Sequence, residues 1–405
     1  MEIMTSIKVF VGSVGEGVID SLLADGGTIN IRNAVKLDNL VLKNIRATLI
    51  ATDIFVENDF SLDNTQLTLS LQTPLAVGGR VELLNETVLT VPDADETTHR
   101  VLALRIDSMG SFTIDSQSQI NLDGKGYPSN MNGPGLESED LGCYGGLSSS
   151  AKSTCVYGDF RQVSLAGAGN TDAAGGGVIS LKADTLEVNG VIRANGASGY
   201  RAGAGGGIHI EATVFNGTGT MTANAGVSSR RDYASGGGRV SLYVADGDFL
   251  EDNVSAAAVD EEGGAGTIFR QSADDAGYLV IDNKGVLSPD NGTVIRHVGL
   301  QNIKAVSSPS DGTWDIRFAG IPWQAKTTTR LGLVGLHVRL GGDENAPLYQ
   351  ITHNTENTIT LEAETDLTYM LGKTLRGVIT LQSLTIKGGA SVDLGCDQLE
   401  QLDNL

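Results

Sequence analysis

Short apolar runs that alternate with polar residues recur along almost the whole chain. Leu67-Thr68-Leu69-Ser70-Leu71, Phe112-Thr113-Ile114, Ile179-Ser180-Leu181 and Val240-Ser241-Leu242 place an apolar side chain at every second residue. That period belongs to strands buried on one face. Before residue 105, runs at 28–31, 40–42, 49–50, 54–56, 67–71, 80–84 and 88–91 are separated mostly by Asp, Asn and Gly, which predicts strand after strand. Leu62, Leu67, Leu69 and Leu71 suggest an irregular coil with large side chains inside. Residues 19–23 are the one short window with a helical pattern.

From residue 175 the alternation becomes regular. Gly175-Gly176-Gly177, Gly205-Gly206-Gly207 and Gly236-Gly237-Gly238 each open a strand, and Gly266 opens a fainter fourth. The last glycines, 177, 207, 238 and 266, recur at about thirty residues, a period that marks a stacked array. One unit has no partner for its inner face, whereas stacked units pair every strand with the one above and below. Ile208 and Ile210 come one position earlier after their glycines than Ile179 and Leu181 do, so the second unit needs a slip at its corner. The glycines are expected at corners that need positive φ or close backbone approach. Asn195 and Asn224 occupy equivalent places and are expected to form a side-chain ladder.

The remaining segments fit around this array. Residues 106–126 form one unit, and a sister at 384–395 suggests that the pattern restarts near the end. Residues 127–174, with Pro128, Pro134 and many Gly and Ser, read as a long loop folded over one flank. Residues 301–380 have fewer glycines and carry Trp314, Trp323, Tyr349 and Tyr369 between short strands, which predicts a small antiparallel unit. The expected fold class is all-β: a parallel β-helix (β-solenoid) with an additional small antiparallel β-barrel or sandwich module. The expected divisions are 1–105, an irregular β-solenoid or capping β region; 106–300, the Gly-rich solenoid with the long loop 127–174; 301–380, the module; and 381–405, the start of a further coil.

Composition sharpens this picture. Glycine supplies 53 of 405 residues, nearly twice the average of about 7%, and only 5% are aromatic, so the core must rest on small aliphatic side chains. Gly does not recur every third residue, which excludes collagen. The net charge of −21 argues against nucleic acid and anionic membrane as partners. No run of 18 apolar residues predicts membrane insertion. The first ten residues lack a basic stretch and a long apolar stretch, and read as sequence from within a longer protein. Cys143 and Cys155 are close enough in sequence for a bridge that would pin the long loop and imply an oxidising compartment; the alternative is two free thiols. Cys396 is left over.

The blocks Gly-Gly-Gly followed by alternating residues, the Ala-Asn pairs at 194–195 and 223–224, and Asp123-Gly124-Lys125-Gly126-Tyr127-Pro128 resemble the Gly-rich β-helix repeats of very large bacterial surface proteins of the haemagglutinin and adhesin kind. Residues 349–361 look like the small β module that recurs between such repeats. The resemblance covers roughly 106–395. It implies an extracellular, cell-surface location and offers no catalytic residues to carry over.

Candidate chemistry is sparse. Glycoside hydrolysis needs two carboxylates on one face, for which Asp184 or Glu187 with Glu211, and Asp107 or Asp115 with Asp123, are the candidates; few aromatic residues accompany them. Asp246, Asp248 and Asp252 crowd an acidic loop suited to Ca²⁺, without the spacing of an EF-hand. His99, His209, His297, His337 and His353 are scattered. No Gly-x-Ser-x-Gly, phosphate loop or dinucleotide fingerprint is present. Trp314 and Trp323 are candidates for a contact surface. The expected function is a non-enzymatic structural or adhesive segment of a bacterial surface or fibre protein. Its expected partners are further copies of itself, adjoining segments, or a cell-surface glycan or protein. A carbohydrate-active β-helix enzyme and a glycan-binding module are the alternatives.

Overall fold

The computed structural model describes residues 17–25, 35–95, 97–98, 100–131, 133, 142–149, 155–230, 233–249, 251–272, 275–288, 292–295, 298–310, 312–318, 333–334, 336–341, 343, 346–394 and 399–401. Within them the chain is all-β, and no helix is long and apolar enough to cross a membrane. Two sheets dominate the first three-quarters. The first holds Phe60–Asp63, Val81–Leu84, Ser111–Ile114, Val178–Val188, Gly207–Asn216, Arg239–Asp246 and Thr267–Gln271 side by side in that order. The second runs Arg46–Ala51, Gln66–Leu71, Val88–Thr90, Gln119–Asn121, Val191–Arg193, Thr220–Thr222 and Val254–Ser255. The chain visits the sheets alternately, and each of these strands pairs in parallel with its equivalents in the neighbouring repeats.

The registers line up identical roles rather than identical spacings. Leu40, Phe60, Val81, Phe112, Leu186 and Phe215 form one inward row, although the chain between neighbours ranges from one short repeat to the whole 127–174 segment. Ala47, Leu67, Leu89, Ile120, Ile192, Met221 and Val254 form the facing row of the second sheet. All are buried in a single apolar cluster that runs from Leu37 to Ile268. Each fully buried aliphatic side chain contributes about 1.5–3 kcal/mol, so the array is held by many equal increments rather than by one aromatic centre.

The glycine triplets keep one of their two expected reasons. Positive φ occurs at Gly124, Gly217 and Gly247, but at none of residues 175–177, 205–207 or 236–238. Close approach accounts for them. A Cβ on Gly176, Gly205 or Gly237 would fall on the carbonyl oxygen of Ala194, Ala223 or Ala256, the equivalent residue of the facing strand in each repeat. The two sheets touch backbone to backbone there, and only glycine leaves room. The slip expected in the second unit is present: Gly207 pairs with Val178, so Ile208 and Ile210 stay in line with Ile179 and Leu181. The Asn ladder runs from side chain to backbone. Asn195 N donates to Asp123 Oδ1 at 2.7 Å, Asn224 N to Asn195 Oδ1 at 2.8 Å, and Ala257 N to Asn224 Oδ1 at 2.8 Å.

Three features differ from the sequence reading. Residues 19–23 lie within the strand Gly17–Asp25, which pairs in parallel with Val35–Lys43; the ladder overrides a short, weak helical pattern. The boundary expected at residue 105 falls inside the strand Leu104–Ser108, and both sheets run across it, so of the two expectations for 1–105 its described strands follow the continuing array rather than a separate cap. After Thr267–Gln271 the chain reverses at Gly277 (φ 85°), and Tyr278–Asp282 pairs antiparallel, ending the parallel succession. A third, mostly antiparallel sheet follows, ordered Leu300–Ser310, Thr313–Phe318, Thr358–Glu362, Leu348–Asn354, His337–Leu340, Thr374–Leu381, Leu399–Gln401; Thr374–Leu381 also pairs with Leu300–Ser310, and Leu399–Gln401 joins it in parallel. The chain then returns, and Ser383–Lys387 pairs in parallel with Tyr278–Asp282. In sequence, this antiparallel sheet is therefore inserted between two strands that are direct neighbours in the first sheet.

Candidate functional site

The outward face of the first sheet is as ordered as its inner face. Arg105, Ser180, His209 and Ser241 form one outward row; Asp107, Lys182, Glu211, Tyr243 and Gln271 form the next. An earlier outward row, Val178, Gly207, Arg239 and Thr267, is covered by described parts of the long segment 127–174, with Tyr144, Val163 and Leu165 over Gly207 and Tyr144 and Tyr157 over Arg239. The edge of that segment, Arg161 to Ser164, makes a wall above the second and third rows. Floor and wall enclose an open cleft of about 980 Å³.

The cover is fastened from both sides. Cys143 and Cys155 are joined by a disulfide, and both are fully buried. Gly236 N donates to Gly142 O at 2.9 Å, Gly145 N to Gly237 O at 3.1 Å and Gly264 N to Leu147 O at 2.8 Å, so the segment lies directly on the glycine corners. Arg239 replaces the small or apolar residues of the other repeats in its row. Its guanidinium is 1% exposed, donates to Tyr157 O at 3.0 Å and Thr267 Oγ1 at 3.1 Å, and stands over the Tyr144 ring. Burial pushes the Tyr127 hydroxyl up to about 12 and raises those of Tyr144 and Tyr157 as well.

Within the cleft, polar side chains fix one another. His209 Nδ1 lies 2.7 Å from Ser241 Oγ, and Nε2 lies 3.1 Å from Glu211 Oε1. Lys182 Nζ lies 2.9 Å from Glu211 Oε2. The Lys182 ammonium, ahead of the His209 contact, holds the Glu211 carboxyl below its ordinary range and keeps it a carboxylate. Ser, His and Glu in contact resemble a nucleophile with its base, but Ser241 is fully buried and does not line the cleft. Tyr243 donates its hydroxyl to Arg161 O at 3.0 Å, tying floor to wall.

The sequence-predicted residues are distributed as follows. Glu211 lies in the cleft, while Asp107 stands on the far side of Lys182 in the same row. Asp115 accepts from Asn85 N at 2.6 Å and Gln117 N at 3.0 Å; burial works to raise its carboxyl, and these N–H groups outweigh it and hold it low. Burial raises Asp123 despite Asn195 N and the Arg193 guanidinium 3.1 Å away. Both are corner residues of the array. Asp184 and Glu187 are exposed at the end of the Val178–Val188 strand, away from the cleft. Asp246 accepts from Gly247 N, Asp248 from Gly217 N, and Asp252 faces Lys387. Among the described residues no three His, Cys, Asp or Glu side chains are placed to hold a metal ion, so the structure does not gather these acids into a Ca²⁺ cage. Each turns to its own backbone or lysine instead. Trp314 packs on the core of the C-terminal sheet and donates its indole N–H to Ala363 O at 3.2 Å. Trp323, Cys396, His99 and His297 lie outside the described residues.

The cleft and Arg239 escaped the sequence reading. Their one sequence signal is the second position of each alternating strand, where Ser180, His209 and Ser241 are polar in every repeat. Comparison of the chain with protein-family models, with curated proteins and with solved structures finds no match.

Proposed function

We propose that the chain is a parallel β-helix, interrupted by a small antiparallel barrel, that serves as a non-enzymatic structural or adhesive segment of an extracellular bacterial surface protein. One observation carries the reading: one apolar cluster continues from Leu37 to Ile268 through repeats of unequal length, in rows such as Leu40 to Phe215 and Ala47 to Val254. A ladder that tolerates a long insertion without breaking suits a stiff spacer with loops displayed on one flank. The buried Cys143–Cys155 bridge fits an oxidising location. The return of Ser383–Lys387 onto Tyr278–Asp282 supports reading the antiparallel sheet as an insertion in a continuing array.

Imaging of purified particles tests the mechanical part: single rods or end-to-end filaments are expected, and round particles would contradict it. Incubation with acidic and neutral polysaccharides tests the non-enzymatic part. No new reducing ends or unsaturated products are expected. Product that disappears in Glu211→Gln would replace this reading with a carbohydrate-active enzyme.

A further inference from the structure

The cleft differs in charge from the molecule that carries it. The chain has a net charge of −21, yet Arg105, Arg161 and Lys182 line the cleft against the single carboxylate of Glu211. Arg105 is exposed and makes no ion pair among the described residues. The Arg161 guanidinium stands over the Phe160 ring and donates to Thr380 O at 3.2 Å, while the residue's backbone N–H donates to Asp159 Oδ1 at 2.7 Å. A cationic strip maintained on a strongly acidic protein is a feature of recognition, since solubility alone is served by the acidic surface.

Its shape selects the kind of anion. Lys182, Glu211, Tyr243 and Gln271 follow one another across neighbouring strands, so their spacing is about 4.8 Å per step along the array. That line suits an extended polymer. The strands beneath it are interior strands whose backbone N–H and C=O groups are engaged on both sides, so an extended peptide has no edge to join. What faces the occupant is aliphatic surface from Val163, Val178, Ala183, Ala212 and Val244 together with hydroxyl, amide, carboxylate and cationic groups and a half-buried aromatic edge at Tyr243: the complement of a sugar chain, whose rings have apolar C–H faces and carry hydroxyls and carboxylates.

We propose that the cleft binds an extended acidic polysaccharide, its carboxylates meeting Arg105, Arg161 and Lys182 and its hydroxyls meeting Glu211, Ser180 and Gln271. The proposal goes beyond the mechanical role and stands whether the particles are rods or filaments.

The test is titration calorimetry of the intact chain with a de-esterified oligogalacturonate, its methyl ester and a polyglutamate peptide. The acidic oligosaccharide is expected to bind at least tenfold more tightly than either comparison ligand. The double variant R105Q/K182Q is expected to weaken it at least tenfold with an unchanged circular dichroism spectrum. The double variant K36Q/K43Q, which removes two exposed lysines outside the cleft, is expected to bind like the native chain. Absence of binding to the native chain overturns the proposal. So do equal binding of the ester, equal binding of polyglutamate, native affinity in R105Q/K182Q, and equal loss in both double variants.

Discussion

Between residues 35 and 122 the array turns its corners on Asn44, Asn64 and Asn85, all with positive φ, and their side chains stack on the outside: Asn64 Nδ2 donates to Asn44 Oδ1 at 2.7 Å, and Asn85 Nδ2 to Asp63 Oδ1 at 2.7 Å. Between 175 and 266 that same corner, from the first sheet to the second, continues on Asn189, Gly217 (φ 121°) and Gly247 (φ 134°), while the opposite corner, from the second sheet back to the first, is built from glycine triplets with ordinary φ, squeezed between the alanines of the facing strand and the backbone of the 127–174 segment. The inward rows are continuous across both regions. The difference shows that the ladders tolerate different corners, and that glycine at the corner returning to the first sheet opens the backbone to a second layer of chain. That layer brings the disulfide, the buried tyrosines and the cleft wall. Outward residues of the earlier region such as Lys36, Val41, Ser61 and Glu82 are exposed or half-buried, whereas the region with glycine triplets carries the covering segment and the cleft.

The sharpest break of this contrast is Gly237→Ala. The added methyl would fall on Ala256 O and within 2.6 Å of Gly266 N, backbone atoms with nowhere to go. A loss of about 3 kcal/mol or more is expected in the denaturant midpoint. Gly285→Ala is the control: φ is 92° with nothing within 4 Å, so only conformational strain of about 1–2 kcal/mol is expected. Equal costs would mean that close approach is not the reason for the triplets.

Alkaline titration separates the regions next. Tyr127 and Tyr243 are pushed up to about 12 by burial, and Tyr144 and Tyr157 are raised by the same cause. Unfolded tyrosine ionises near 10, so these groups hold their stabilising effect below pH 10 and lose it as pH rises through about 12. Exchange protection of the Gly-rich strands should fall over that window ahead of Arg46–Ala51 and Gln66–Leu71. Simultaneous loss in both regions would contradict the local origin.

Replacing both cysteines, C143S/C155S, is expected to cost about 2–4 kcal/mol and to expose the cover to protease while the Asn-cornered strands remain protected. The smallest effect belongs to Asn64→Ala, which forfeits one exposed side-chain bond and places alanine at φ 47°. About 1–2 kcal/mol is expected in the melting of the intact chain.

The inward rows were legible because alternation reports burial directly: Leu67, Leu69 and Leu71, or Ile179 and Leu181, have no other use for their period. Glycine spacing exposed the Gly-rich repeats, but not why glycine is needed, since positive φ and close approach leave the same residue in the sequence. The outward rows were hidden because Arg105, Lys182, Glu211 and Tyr243 become neighbours only through register. Arg239 carries no burial signal of its own, since it is the covering segment that takes it out of solvent. Leu300–Ser310 was missed because most of its residues face solvent and leave little apolar period.

The central claim is that repeats of unequal length stack one strand at a time. Val41 pairs with Ser61, Ser61 with Glu82, Glu82 with Thr113 and Thr113 with Glu187. Spin labels at positions 41 and 187, measured by pulsed dipolar spectroscopy, test it directly. Four steps place the two backbones roughly 19 Å apart, so one narrow distribution near that value, broadened by the label arms, is predicted. A distribution centred well beyond 40 Å, or spread over tens of ångströms, would contradict the stack.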